Sequence, residues 1–571
     1  MYRTATLLVA LCIATAAPVR ADTYTVDDTG DAPDADTVDN NCLTAGGMCS
    51  LRAAVQQANA HPGADEIVMP PGLYKLSLVG AGEENAASGD LDVLDDLVVT
   101  GSGIQANNVV VDGNGSDRVF DIKPGAVVTL ARLDVRSGVA ITDPRGGGIL
   151  NAGTLLLDRV VVEGNHADNG AGSGSGGGIY NLATLTISGS AILTNVVSPA
   201  ATATGGGIYN SGTMTVVNST VGYNCGIGDA SQGSGVGIYN AAGGSTDLRN
   251  ATIAFNGDSL HPTMNGAGSG VYNAAGSVTL ENSVIADNFS NPSQDCAGTL
   301  TSGGYNLVED ASGCLLAGDM TGVQIGVDPL FNAGELRTDF GPTPLIHPNA
   351  SSPLIDAGNP ALAGSGAGAC EAHDQRGYTR AMDATRCDIG SEELGRCLPR
   401  LTPLTLCNGH QQLPGRGKID LKNYTDDTKD GLHWTFARGS ATSDSAFGAG
   451  ADDYTFCIYD QSGPVLEAGV PGGGVCAGNP CWTDIVKGLK YKNAAATPDG
   501  LTRIKFTSGN SAKVDAKGSG PDLKFVPPPW FGTVTVRMED ESAPTPQSSC
   551  WEATYSAPMA NTIARFKARG D

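Results

Sequence analysis

Gly176-Gly177-Gly178-Ile179-Tyr180-Asn181 returns as Gly205-Gly206-Gly207-Ile208-Tyr209-Asn210, with looser copies from Gly146 to Asn151, Gly235 to Asn240 and Gly268 to Asn273. The closing asparagines stand 30, 29, 30 and 33 residues apart. A second marker, Asn165, Asn195, Asn224, Asn256 and Asn288, keeps nearly the same step at 30, 29, 32 and 32 residues. Between the markers the pattern has period two, as in Thr184-Leu185-Thr186-Ile187 and Ser277-Val278-Thr279-Leu280. Such alternation is that of strands with one buried face, and these segments are too short, too β-branched and too closely bounded by glycine for helices. One repeat cannot bury its own apolar face, so the copies must stack and share a core. Coiled into a parallel solenoid, each strand bonds to the strands above and below.

Stacking makes expectations for single residues. Ile192, Val221, Ile253 and Ile285 fall in one internal ladder. The glycine triplets suit turns with positive φ or crowded backbone. Asn181, Asn210, Asn240 and Asn273 form an amide ladder at a turn, where asparagine tolerates left-handed geometry and its side chain reaches the next copy. The alternative is that these amides hold a ligand. Tyr180, Tyr209, Tyr239 and Tyr272 point outward if the aliphatic residues before them point in, and line up about 5 Å apart. Such a stripe offers rings to a sugar; the alternative is a self-packed aromatic ladder under a loop.

Arg3 precedes an apolar run from Ala5 to Ala17, shorter than the roughly 20 residues a bilayer needs. Val19-Arg20-Ala21 follows as a cleavage site, so residues 1–21 read as a secretory signal peptide. No later segment is apolar enough for an integral membrane span. Once the signal is removed, 32 basic residues face 60 acidic ones, which repels phosphate backbones and excludes nucleic acid as a partner. Cysteines in an exported chain pair by default. Cys42–Cys49, Cys296–Cys314 and Cys370–Cys387 are close in sequence and bracket turn-rich segments. Cys225 is left as the thiol, and Cys457, Cys476, Cys481 and Cys550 admit three pairings.

Composition divides the chain. Residues 22–396 carry 42 acidic and 14 basic side chains, two lysines and no tryptophan, whereas 397–571 carry 18 of each sign, eleven lysines and all four tryptophans. The expected organisation is a signal (1–21), an N-terminal cap with a short helix (22–66), the β-helix (67–350), a closing segment (351–396) and a second domain (397–571). Ser50 is a good N-cap for a helix over 50–60. The second domain alternates in Leu432 to Phe436, Tyr454 to Tyr459, Arg503 to Phe506, Gly532 to Met538 and Cys550 to Tyr555, the pattern of an antiparallel β-sandwich. Trp530 follows Pro527-Pro528-Pro529 and is the tryptophan expected at the surface, a candidate sugar platform; core tryptophans are the alternative.

Cys49-Ser50-Leu51-Arg52-Ala53-Ala54 resembles the signature of CSLREA-domain proteins, with Ala53 where glutamate is usual. The GGGIYN-like repeats resemble those of the same family and, more distantly, chlamydial polymorphic outer-membrane proteins. Gly303-Gly304-Tyr305-Asn306-Leu307, Asp328-Pro329-Leu330-Phe331, Gly341-Pro342-Thr343-Pro344, Ile355-Asp356-Ala357-Gly358, Asp374-Gln375-Arg376-Gly377 and Cys387-Asp388-Ile389-Gly390 are similar to the choice-of-anchor Q module. The resemblance covers roughly residues 23–394 and implies an all-β, pectin-lyase-like right-handed parallel β-helix exported to the cell surface or medium. It implies little about activity.

Enzyme status therefore rests on residues. Acting on an acidic polysaccharide needs paired carboxylates, or clustered carboxylates with a cation serving as base. Residues 160–330 contain a single arginine or lysine, Arg249. His166 and His261 lie near turns in unlike surroundings and read as turn residues. Asp27, Asp28, Asp31, Asp34, Asp36 and Asp39 are a candidate for calcium, though without an EF-hand frame, and a solvated loop is the alternative. No other cofactor is indicated, and Asp374 with Arg376 reads as a structural pair. Two functions follow: an adhesin-like or carbohydrate-binding scaffold on an extracellular glycan or a host or neighbouring cell, or a polysaccharide lyase or hydrolase. A carboxylate–cation cluster on one face of adjacent coils would favour the second. The oligomeric state is not legible.

Overall fold

The computed structural model describes residues 21–571 except 104, 169–173, 198–203, 227–233, 258–267, 290–293, 338–340, 350–351, 367, 378–379, 381–385, 394–409, 412–415, 425, 438, 440, 444–453, 461–462, 471–472, 497–499, 521–522, 524, 526 and 541–549. Residues 1–20, which carry the expected signal, and His261 thus lie outside the described residues.

The repeats coil into a parallel β-helix whose three main sheets run along its length. In the first, Thr154–Asp158, Thr184–Ser188, Thr213–Val217, Ser245–Arg249 and Ser277–Glu281 pair residue for residue. In the second, Ile149–Asn151, Ile179–Asn181, Ile208–Asn210, Ile238–Asn240 and Val271–Asn273 do the same. In the third, Ile192, Val221, Ile253 and Ile285 superpose and are fully buried, as the repeat demanded. Parallel pairing already begins at Thr23–Thr25, within the segment read as a cap, and ends at Gln324–Ile325. Phe331–Arg337 and Leu345–Pro348 pair antiparallel.

Two amide ladders run through the interior. Asn151, Asn181, Asn210, Asn240 and Asn273 each pass Nδ2 to Oδ1 of the next, at 2.7, 2.7, 2.9 and 3.0 Å. Asn165, Asn195, Asn224, Asn256 and Asn288 do likewise at 3.0, 3.1, 2.9 and 2.9 Å. The first set bonds its neighbours as expected but is not in the left-handed region. Positive φ falls instead on a column of turn residues joining the first and third sheets: Arg159, Gly189, Asn218, Asn250 and Asn282. In each glycine triplet the first member has positive φ, 66° at Gly176, and a Cβ on the third, Gly178, would lie 2.8 Å from Asn195 Nδ2. The triplet is therefore required by the amide ladder beside it.

The helix Leu51–Ala60 is capped by Ser50, whose hydroxyl accepts from Ala53 N at 3.0 Å. Arg52 is fully buried, binds Asp31 through Nε at 2.7 Å and reaches the carbonyls of Ala86, Gly89 and Asp90. At the other end, residues of a closing segment that includes Thr343, Leu354, Gln375 and Ser391 lie against the third sheet. Thr220 meets Gln375, Thr252 meets Ser391, and Leu354 with Ile389 covers Val284, Ala286 and Leu307. The left-handed asparagines dock this segment: Asn218 accepts from Arg380, Asn250 from Glu371 N, and Asn282 from Asn359 N. Arg376 pairs with Asp374 as read from the sequence.

The C-terminal region has a five-stranded and an eight-stranded sheet, antiparallel except where His410–Gln411 meets Cys550–Tyr555. All four tryptophans are buried. Trp530 corrects the expectation of a surface ring. It is 3 % exposed and lies 4.7 Å from the Phe566 ring, because Asn561 binds both its N–H and its carbonyl and turns it inward. The proline run is partly exposed; the residue after it is not. Disulfides join Cys42–Cys49, Cys296–Cys314, Cys370–Cys387 and Cys476–Cys481. Cys457 and Cys550 are also disulfide-bonded, and Cys225 is a thiol. Such bonds mark an extracellular or otherwise oxidising compartment. Among the described residues no helix is long and apolar enough to cross a membrane.

Asn224→Ala removes the acceptor of the Asn195 amides and the donors to Ile192 and Asn256. Each orphaned buried group costs about 1–3 kcal/mol, so urea titration followed by circular dichroism should show a loss of about 3 kcal/mol or more. A loss below about 1 kcal/mol would mean that the ladder is not what holds the coils in register.

Candidate functional site

Outward side chains of the second sheet fall in one column along the solenoid axis: Asp92, Asp121, Leu150, Tyr180, Tyr209, Tyr239, Tyr272 and Ala297. Alternation sends the aliphatic residue before each tyrosine into the core and leaves each ring half-buried. The rings stack at 4.5, 5.2 and 5.1 Å with interplanar angles of 7°, 11° and 7°. Their faces are therefore occupied by one another, which corrects the expectation of faces open to sugar rings. What the column presents is a row of ring edges and hydroxyls. The guanidinium of Arg145 lies 5.5 Å over the Tyr180 ring and is clamped by Asp143 at 2.6 and 2.7 Å. At the far end Ala297 stands in register with Tyr272, so no further ring extends the stack. Burial, with Tyr180 and Tyr239 alongside, pushes the Tyr209 hydroxyl up to about 12. It stays protonated and able to donate.

The same column carries an ionic cluster on the earlier coils. Lys123 Nζ lies 2.5 Å from Glu84, 2.7 Å from Asp92 and 2.9 Å from Asp121. Arg118 lies 3.1 Å from Asp121 and 3.4 Å from Asp90, and donates to the Asp143 carbonyl. The sequence reading counted cations only over 160–330 and missed this cluster, though Asp92 and Asp121 stand one repeat step, 29 residues, apart. A carboxylate–cation cluster on adjacent coils is thus present. Its charges are paired with one another. Burial lowers the Lys123 pKa, but three carboxylates more than offset this and hold it above the ordinary value, so the amine is no base near neutrality. Burial, then Asp117, pushes Asp90 up to about 8, yet that carboxyl is only 3 % exposed. Glu84, Asp92 and Asp121 bring three carboxylates close enough to hold a cation, and the Lys123 ammonium already lies among them.

The remaining candidates disperse. Arg249, expected to stand alone, pairs with Asp247 at 2.5 Å. His166 is half-buried between Val139 and Val196 in its column, and burial lowers its pKa. The acidic run closes local turns: Asp28 accepts from Gly30 N, Asp34 from Asp36 N, Asp36 from Val38 N and Asp39 from Asn41 N. Asp31 serves Arg52. Asp134, on the third sheet, is 1 % exposed; neither of its oxygens has a hydrogen-bond partner, and Arg136 stands 3.8 Å away. Burial, then Glu163, pushes it up to about 8.

No family model, curated protein or solved structure matches this chain.

Asp90 and Asp134 have pKa values raised from 3.8 to about 8 on folding. The stability each lends is complete in acid, below the unfolded value, and is lost as pH rises through about 8. The protein should therefore melt higher at about pH 5 than at about pH 8. Asp134→Asn, neutral at every pH, should gain at least about 1 kcal/mol at alkaline pH and nothing in acid. Calorimetry across this range checks it, and equal gains at both ends would mean that the carboxyl is ionised throughout.

Proposed function

We propose that the protein is a secreted or cell-surface scaffold that binds an extracellular glycan, free or on a host or neighbouring cell, without turning it over. The observation that carries this reading is the row of four stacked tyrosines, whose hydroxyl edges form a straight, regularly spaced hydrogen-bonding rail held rigid by the ring stack. Rigid aromatic edges lose little entropy on contact, and their hydroxyls both donate and accept, as sugar hydroxyls do. Export is supported by the signal-like residues 1–21, the disulfides and the likeness of Cys49 to Ala54 to the CSLREA signature. The strong negative charge supports a partner that is neither nucleic acid nor polyanion.

The cluster around Lys123 favours a second reading, a lyase or hydrolase of the pectin-lyase-like kind. The paired and buried state of its cations speaks against that reading. Pectate and alginate, with and without calcium, should yield no ultraviolet-absorbing unsaturated product; product that vanishes in Lys123→Met would establish the second reading.

For the scaffold reading, Tyr209→Phe with Tyr239→Phe keeps the stack and removes two hydroxyls. Glycan-array binding by the pair variant should weaken about fivefold per lost hydroxyl, with an unchanged melting temperature. Unchanged binding would remove the rail from the contact.

A further inference from the structure

The turn column between the first and third sheets holds a gap in its row of asparagines. Asn218, Asn250 and Asn282 each take a hydrogen bond from the closing segment, but the coil before them has Gly189, with φ 56° and no side chain to offer. There no asparagine side chain draws the closing segment onto the solenoid. A cavity of about 370 Å³ remains, floored by Ser188 and Gly189 and walled by Asp158, Arg159, Glu371 and His373. The backbone around it is held in place. Thr343 Oγ1 donates to Gly189 O at 2.9 Å, and Gln375 binds Thr220, Thr343 and Pro344. Arg380 binds the carbonyl of His373, and the Cys370–Cys387 disulfide lies in the same segment.

Polar groups at this cavity are left over from folding. Among the described residues the His373 imidazole and the Glu371 carboxylate make no hydrogen bond, although the backbone of each does. Among the described residues the Asp158 and Arg159 side chains pair with each other at 3.2 Å and are 34 % and 50 % exposed. A carboxylate acceptor, a guanidinium donor and an imidazole around a small concave volume match the paired donor and acceptor character of sugar hydroxyls. The lining holds three carboxylates, Asp158, Glu371 and Asp374, against two guanidiniums, Arg159 and Arg376, and that excess of negative charge, in a chain of formal charge −26, disfavours uronic acids.

We propose that this cavity is a saccharide subsite that takes one uncharged sugar unit, on a different face from the tyrosine rail. The assignment rests on the glycan-binding reading and adds a second contact to it.

Gly189→Asn supplies the side chain that the row lacks. Asparagine tolerates this φ, and the new Cβ meets only Arg159 Cγ at 3.3 Å and Gln375 O at 3.6 Å. The full mature chain and its G189N, His373→Ala and Y209F/Y239F variants are applied to an array of neutral, amino-sugar and uronic-acid oligosaccharides. Binding of neutral glycans should fall at least tenfold in both G189N and H373A. If G189N fails to fold, H373A decides. Wild-type-like binding by G189N and H373A overturns the cavity, and if the tyrosine pair is then weakened the glycan reading stands without it. Preference for uronic acids overturns the ligand class. An array silent for the wild type overturns both.

Discussion

Buried side-chain amides that are satisfied by the equivalent amide and by backbone groups one coil away set the register of this molecule. A buried amide without partners costs more than its hydrogen bond returns, so a slip of one residue would orphan a whole row at once. The rows also have direction, since between asparagines it is Nδ2 that donates to Oδ1 of the next coil. A row that runs one way must end on a group that accepts without needing to donate. The second ladder ends on Asp295, whose Oδ1 takes Asn288 Nδ2 at 2.9 Å while Oδ2 takes Asp310 N. A carboxylate is the natural terminal acceptor. Burial pushes Asp295 up to about 7, so the end of the ladder is where its hydrogen bonding meets the pH of the medium.

Much else follows from that constraint. The third glycine of each triplet is needed because an amide packs where its Cβ would be, as Asn195 does over Gly178. The left-handed turn column follows from the coiling, and its asparagines hold the strap that covers the small residues Gly222, Ala254 and Ala286. Where the column reads Gly189 no asparagine side chain holds the strap, and Thr343 bonds the backbone carbonyl instead. Arg52 plays the corresponding part at the other end, one buried guanidinium tying the acidic loop at Asp31 to the backbone at residues 86–90.

The fold was legible because its signal is a period, and a period survives any uncertainty about single residues. Ile192 and its equivalents, three disulfides among close cysteines and the Asp374–Arg376 pair could be read directly. The site was less legible, for three reasons. The first coils lack the GGGIYN marker, so Asp92 and Asp121 were not seen to fall in register with Tyr180. Whether outward tyrosines offer faces or edges depends on a rotamer shared along the stack, which no spacing reveals. At Trp530, a proline run predicts the exposure of the prolines, while the side chain after it answers to Asn561, distant in sequence.

Charge separates the two functional readings on physical grounds. An enzyme acting on uronic acids needs a cation exposed to the substrate carboxylate, since that is the charge to be neutralised as the adjacent proton leaves. Here Lys123 and Arg118 point their charge at carboxylates of the protein itself, and both are largely covered. Turning either toward a substrate would leave Asp92 or Asp121 as an uncompensated buried carboxylate, a cost of several kcal/mol. The groups that remain available, ring hydroxyls in a row and an imidazole beside a carboxylate and a guanidinium, are instead suited to hydroxyls. Recognition built on short-range hydrogen bonds is weakly screened by salt, unlike steering by net charge. On the proposed reading, binding of an uncharged glycan would therefore persist at ionic strengths where the long-range field of the negatively charged solenoid has vanished.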